Sequence, residues 1–191
     1  MGIFIGVDPG NTGAVCMYDS DTREIKFADT PTVKMKSGKT FKTQMNPHAC
    51  SLLLKELAGG KECLVTIEKV AAMPSVAGPN GEERRTMGAT SAFNFGMGFG
   101  MWIGICAALQ LPYELVHPAT WKSKLLAGMA KGKDASRVKA MQLFPQTAKD
   151  LARKMDHGRA DALLLAVYGV KYGEPQVTQE KQDQMTGNLF G

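Results

Sequence analysis

The chain has 191 residues, 44% of them hydrophobic and 21% charged, with a net charge of +5 at pH 7 and a pI near 9.0. That length suits one domain of roughly 100–200 residues, and the apolar content excludes global disorder. The modest positive balance favours a polyanionic partner, and Cys16, Cys50, Cys63 and Cys106, each in an apolar run and none in a CxxC pair, read as buried free thiols of a reducing cytosol, not as zinc ligands or disulfides.

Ile3, Phe4, Ile5 and Val7 make a nearly continuous apolar strand, with Asp8 directly after it. Pro9-Gly10 and Thr12-Gly13 then turn the chain back. Residues 3–8, 13–19 and 24–29 read as three strands of an antiparallel meander. Pro31 to Met45 is polar and carries Lys34, Lys36, Lys39 and Lys42 around a Ser37-Gly38 turn; it reads as a mobile basic loop. Asn46 and Pro47 open a helix that ends near Ala58 before Gly59-Gly60, with Leu52, Leu53, Leu54 and Leu57 as its core face. Cys63 to Ile67 is a fourth, buried strand, and Glu68 ends it as Asp8 ends the first.

Pro74, Gly78, Pro79 and Gly81 make Val70 to Arg85 irregular. From Thr86 to Tyr113 there is no charged residue, and a run of about 18 apolar residues can span a bilayer. Gly96, Gly100 and Gly104 even repeat a small-residue spacing found in membrane helices. Thr90, Ser91, Asn94 and the surrounding α/β pattern point instead to a helix from about Gly88 to Leu109, with the glycine face packed on a sheet or a partner helix. No membrane association is expected. Tyr113 to Val116 is a fifth strand, and His117-Pro118 starts a short helix through Lys122. Asp134 caps a helix to Phe144, a short helix covers about Thr147 to Lys154, and the last runs from Asp156 to Lys171 on Ala160, Leu163, Leu164 and Val167. Residues 173–191 form a polar tail to a domain of residues 1–172.

Asp8 and Glu68 each end a buried strand, and Asp161 lies between Ala160 and Ala162 just before a leucine run, where a plain surface acid is not expected. If the two strands are neighbours and the last helix lies beside them, the three carboxylates cluster. Clustered carboxylates repel one another unless a cation joins them. Hard oxygen ligands select Mg²⁺ or Mn²⁺, and two such ions about 4 Å apart can activate a water and stabilise the leaving oxygen of a phosphodiester. Asp156 stands near the group, although a helix N-cap alone would explain it. Between Trp121 and Arg159 ten Lys and Arg (among them Lys122, Lys124, Lys131, Lys133 and Arg137) face three acids, a surplus of +7 that exceeds the whole-chain charge. That concentration suits a phosphate-backbone footprint. Arg84 and Arg85 lie in the irregular segment, as a junction contact or a plain loop tip. Trp121 suits core packing more than base stacking, and His117 a helix start.

Gly6-Val7-Asp8-Pro9-Gly10, Ile67-Glu68-Lys69, the glycine-rich helix, His117-Pro118-Ala119-Thr120-Trp121-Lys122 and Asp156-His157-Gly158-Arg159-Ala160-Asp161-Ala162-Leu163 together resemble RuvC-type Holliday junction resolvases of the ribonuclease H-like superfamily, in their plastid and phage-like branch. The resemblance covers roughly residues 2–171. It implies an α/β, ribonuclease H-like fold: a five-stranded mixed sheet with helices on both faces. It also implies a homodimer that cuts four-way DNA junctions symmetrically with Mg²⁺, Mn²⁺ substituting. Asp8, Glu68 and Asp161 match the metal-binding acids, and Asp156 matches the acid of the branch's DHGRA motif. The bacterial fourth ligand falls on Gly158 here, so Asp156 or His157 must substitute. Lys122 matches a lysine near the scissile phosphate, and the bacterial aromatic wedge falls on Ala71.

The first turn also resembles the phosphate loop of sugar and acetate kinases, but 191 residues leave no room for their second domain. A ribonuclease H-like nuclease acting on flaps, branched DNA or RNA/DNA hybrids is the runner-up. Asn188-Leu189-Phe190 resembles peptides that dock in sliding clamps. Met1 opens directly into the first strand with no signal or transit peptide, which suggests the cytoplasm of a bacterial or phage-infected cell.

Overall fold

The computed structural model describes residues 2–69, 88–130, 132 and 134–174. Alternation sorts the side chains of β1 (Ile3–Val7) to two faces. Ile3, Ile5 and Val7 join one buried cluster, and Gly6 turns the other way, where a Cβ would run into the backbone of Ala162 and Ala166. Only glycine lets a helix backbone come that close to the strand.

β2 (Ala14–Asp19) and β3 (Ile25–Asp29) complete the expected antiparallel meander. Pro31 to Met45, expected as a mobile loop, is instead a hairpin of β4 (Thr32–Ser37) and β5 (Thr40–Met45), forming its own two-stranded sheet. Its lysines alternate with Val33 and Met35 at the strand period, and Gly38 takes φ 60° at the head of a two-residue turn. The lysine content hid that period.

Asn46 caps α1 (Pro47–Ala58) through the Ala49 N–H, and Gly59 closes it in the left-handed region. Its core face is Cys50, Leu54 and Ala58; Leu52, expected in that face, is exposed. β6 (Cys63–Glu68) lies parallel to β1, followed in the chain by α2 (Ala89–Ala108). β7 (Tyr113–Val116) lies parallel to β6, so the five-stranded sheet runs β3-β2-β1-β6-β7 with β1 at its centre.

α3 (Pro118–Leu125), α4 (Ala135–Leu143) and α5 (His157–Tyr172) follow. Asp134 makes no side-chain cap; its Oδ1 accepts from Arg137 Nε at 3.2 Å. The helix expected over Thr147 to Lys154 is two 3-10 turns, Pro145–Ala148 and Lys154–Asp156. α1 and α2 cover one face of the sheet, and α3, α4 and α5 belong to the cluster on the other. All four cysteines are buried free thiols, as expected.

α2 is long and apolar enough to cross a membrane, and only 22% of its apolar window is buried. Gly98, Trp102, Ile105 and Cys106 hold it to the core, where Gly98 approaches the Pro9 carbonyl. Gly96, Gly100 and Gly104, expected to make the close approach, face open space among the described residues.

Candidate active site

β1 and β6 run parallel with Val7 opposite Ile67, so Asp8 and Glu68 leave the sheet side by side at one end. Strand alternation sends both toward the face covered by α5. The Asp8 turn is tight: its N–H donates to the Ala14 carbonyl at 2.9 Å, and a Cβ on Gly13 would strike the Asp8 carbonyl. The first turn of α5 then lies directly on the acid. A Cβ at Gly158 would stand 3.1 Å from Asp8 Oδ2 and 3.2 Å from the Thr12 carbonyl. Thus the position expected to carry a ligand in bacterial relatives is here a point where α5 packs closely on the Asp8 turn. Arg159 locks this geometry with paired bonds to Asp29 on β3, at 2.7 and 2.9 Å.

Asp161, one turn into α5, completes the group. Its Oδ1 is buried with no hydrogen-bond partner among the described residues, and its Oδ2 lies 3.7 Å from Lys122 Nζ. Burial first, then the charges of Asp161 and Glu68, push the Asp8 carboxyl from 3.8 up to about 7, against the Gly10 N–H and His157 pulling it down. Glu68 is also raised, chiefly by burial, while the Trp121 hydrogen bond and Lys122 oppose the shift. Asp8 and Glu68, both raised in this way, and Asp161 with its orphaned oxygen are a donor set that fits a hard divalent cation. Among the described residues no three His, Cys, Asp or Glu side chains already converge at ion-holding distance.

The sequence reading missed one role. Trp121 is fully buried, as core packing requires, yet its Nε1–H donates to Glu68 Oε2 at 2.8 Å. Lys122 Nζ sits 4.9 Å from the same ring, so the Trp-Lys pair braces one acid and sets a cation at the cleft. No pattern in the sequence says where a buried indole N–H points.

Asp156 stands apart from the cluster. Arg153 takes both of its oxygens: Nη2 and Nε bind Oδ1 at 2.7 and 3.0 Å, and the backbone N–H binds Oδ2 at 2.7 Å. These bonds hold its carboxyl below the usual range. His157 instead shares one helix face with Asp161 at the i, i+4 spacing and lines the cleft with Lys122 and Asp161.

The expected DNA contacts separate likewise. Lys124 stacks over Tyr168 and Tyr172 at 5.2 and 4.2 Å. Arg137 ties Asp134 to the Leu151 carbonyl and is largely buried. Lys131, Lys133, Arg84, Arg85 and the clamp-like tail segment lie outside the described residues.

Thermus thermophilus RuvC, solved in complex with a Holliday junction substrate, superposes on 92% of this chain and 99% of its own, with a TM-score of 0.54 at 14% identity. The chain has the fold of RuvC. It is an α/β, ribonuclease H-like fold, as the motifs implied. A second Thermus thermophilus RuvC structure covers 91% of the chain at a TM-score of 0.48. In sequence, the chloroplastic Holliday junction resolvase MOC1 of Chlamydomonas reinhardtii is 39% identical over 71 residues. That match takes in 37% of this chain and only 8% of the relative's length. No family model matches. The chain is thus similar to RuvC in fold and, over 71 residues, to a Holliday junction resolvase in sequence. MOC1 is a chloroplastic protein.

Proposed function

We propose that this chain is a structure-selective DNA endonuclease that resolves four-way junctions by hydrolysing phosphodiesters. One observation carries the reading: Asp8 and Glu68 leave neighbouring parallel strands at one sheet end, and α5 sets Asp161 against them with an unpartnered buried oxygen. The names of the RuvC and MOC1 relatives supply the substrate class.

Asp8, Glu68 and Asp161 would hold Mg²⁺ or Mn²⁺, two ions per site, with His157 as the fourth ligand. Asp156, whose oxygens Arg153 already engages, then serves as a structural anchor. Ions held by these side chains would supply activation of a water and stabilisation of the leaving oxygen. The chain's own residues do the rest. Trp121 fixes the rotation of Glu68, and Lys122 neutralises charge on the scissile phosphate as the substrate displaces it from Asp161.

A four-way junction is cut symmetrically by two sites, which suggests a homodimer. The exposed side of α2, uncharged and bearing Phe93, Gly96, Gly100 and Gly104, is the surface that suits a second copy. Residues 1–172 act as one nuclease domain and 173–191 as its tail, with a sliding clamp as the tail's proposed partner. Four reduced, buried thiols suit a cytoplasmic setting.

Purified protein with Mg²⁺ should cleave a synthetic four-way junction in preference to a flap, a nicked duplex or an RNA/DNA hybrid of the same sequence. Equal or faster cleavage of flaps or hybrids would replace this reading with that of a less selective nuclease.

A further inference from the structure

The β4–β5 hairpin lies outside the carboxylate cleft and has no place in that chemistry. Residues 32–36 and 38–43 are exposed wherever their side chains are described. β4 and β5 pack chiefly on each other. A lone two-stranded hairpin is marginally stable in water, so keeping one projecting calls for a use.

Its composition says which. Lys34, Lys36, Lys39 and Lys42 fall within it, and no acid occurs between Asp29 and Glu56. Among the described residues none of the four lysines takes part in an ion pair. The pairing register puts Lys34, Lys36 and Phe41 on one face and Val33, Met35 and Lys42 on the other, so each face mixes cation with apolar surface. Phe41 is 69% exposed. Strands of this length reach about 20 Å, and a two-stranded ribbon fits the major groove of duplex DNA.

Its root fixes where it reaches. The Asn46 N–H donates to the Pro31 carbonyl at 2.8 Å, Met45 is buried, and Asn11 Nδ2 donates to the Thr43 carbonyl at 3.3 Å. Asn11 belongs to the same turn as Asp8, so the arm springs from the catalytic end of the sheet.

We propose that the β4–β5 hairpin is a DNA-binding arm that grips a duplex beside the cleavage site, its lysines on phosphates and Phe41 stacked on an exposed base. This rests on the nuclease reading above. Lysine contacts release counterions, whereas stacking is nearly insensitive to salt.

The test uses the full chain, a fluorescent four-way junction and anisotropy titrations in EDTA across a range of salt. Three proteins are compared: wild type, the quadruple variant K34A/K36A/K39A/K42A, and Phe41→Ala. The quadruple variant should bind at least about 10-fold more weakly near 0.1 M salt, with a log–log salt slope smaller by about 2–4. Phe41→Ala should weaken binding with the slope unchanged. Should the quadruple variant misfold by circular dichroism, K34E/K36E carries the same test. Wild type binding the junction, with the lysine variants unchanged in affinity and slope, would overturn the arm alone. A change in sedimentation without a change in DNA binding would make the hairpin a self-interface and also overturn it. Wild type failing to bind or cut the junction at all would overturn the nuclease reading beneath it.

Discussion

Replacing Asp8 by Asn should stabilise the metal-free protein while abolishing its cleavage of DNA. Burial and the charges of Asp161 and Glu68 raise the Asp8 carboxyl from 3.8 to about 7. The folded chain therefore binds that proton more tightly than the unfolded chain. The penalty is absent below pH 3.8, grows as pH rises toward 7, and is constant above. At about 1.4 kcal/mol per pKa unit its ceiling is on the order of 4 kcal/mol. Half of that, about 2 kcal/mol, would move the melting temperature of a chain this size by roughly 4–8 °C. Asparagine keeps the shape of the side chain and can still accept from the Gly10 N–H, so charge is the main change. Thermal melts of both proteins in EDTA should separate in the variant's favour at pH 8 and draw together at pH 4. Added Mg²⁺ should raise the wild-type melting temperature and leave the variant's nearly unmoved. A variant less stable than wild type at pH 8, or a gain equal at both pH values, would refute the idea that carboxylate crowding strains this site.

Trp121→Phe removes one hydrogen bond to Glu68 and keeps most of the packing. It should raise the half-saturating Mg²⁺ concentration about 10-fold, with much of the rate recovered at saturation; an unchanged requirement would reduce Trp121 to a core residue. His157→Ala should lose divalent-ion affinity with little loss of stability. Asp156→Asn should lower the melting temperature and retain activity, because Arg153 already engages both Asp156 oxygens; the reverse pattern would make Asp156 the ligand. Gly158→Ala places a Cβ 3.1 Å from Asp8 Oδ2. It should cost about 1–3 kcal/mol of stability and a larger share of activity. Full activity in that variant would show that α5 has slack against the Asp8 turn.

The sequence disclosed the site's frame because that frame rests on periodic signals. The apolar runs of β1 and β6, one followed by Asp8 and the other ending in Glu68, mark the sheet end where the two acids emerge. The helical spacing of Ala160, Leu163, Leu164 and Val167 marks α5 and brings Asp161 with it. Features set by long-range contact were illegible. Gly158 reads as a missing ligand until its distance to Asp8 shows how tightly α5 packs on that turn. Asp156, which matches the DHGRA acid, ranks ahead of His157 in the sequence, and only the structure shows Arg153 bonded to both of its oxygens. Gly96, Gly100 and Gly104 suggest close packing, yet it is Gly98 that meets Pro9. The hairpin was legible in principle, since Lys34 and Lys36 alternate with Val33 and Met35 around a Gly38 turn. Its charge outweighed its period because a strand with both faces exposed buries too little to look like one.

The most direct measurement is a map of cuts on a synthetic four-way junction with each of its four strands labelled in turn, in Mg²⁺. Paired nicks at symmetry-related positions on two opposed strands, absent with Asp8→Asn, are the expected result. Unpaired nicks scattered over all four strands, or cleavage that survives Asp8→Asn, would contradict a two-fold junction resolvase built on Asp8, Glu68 and Asp161.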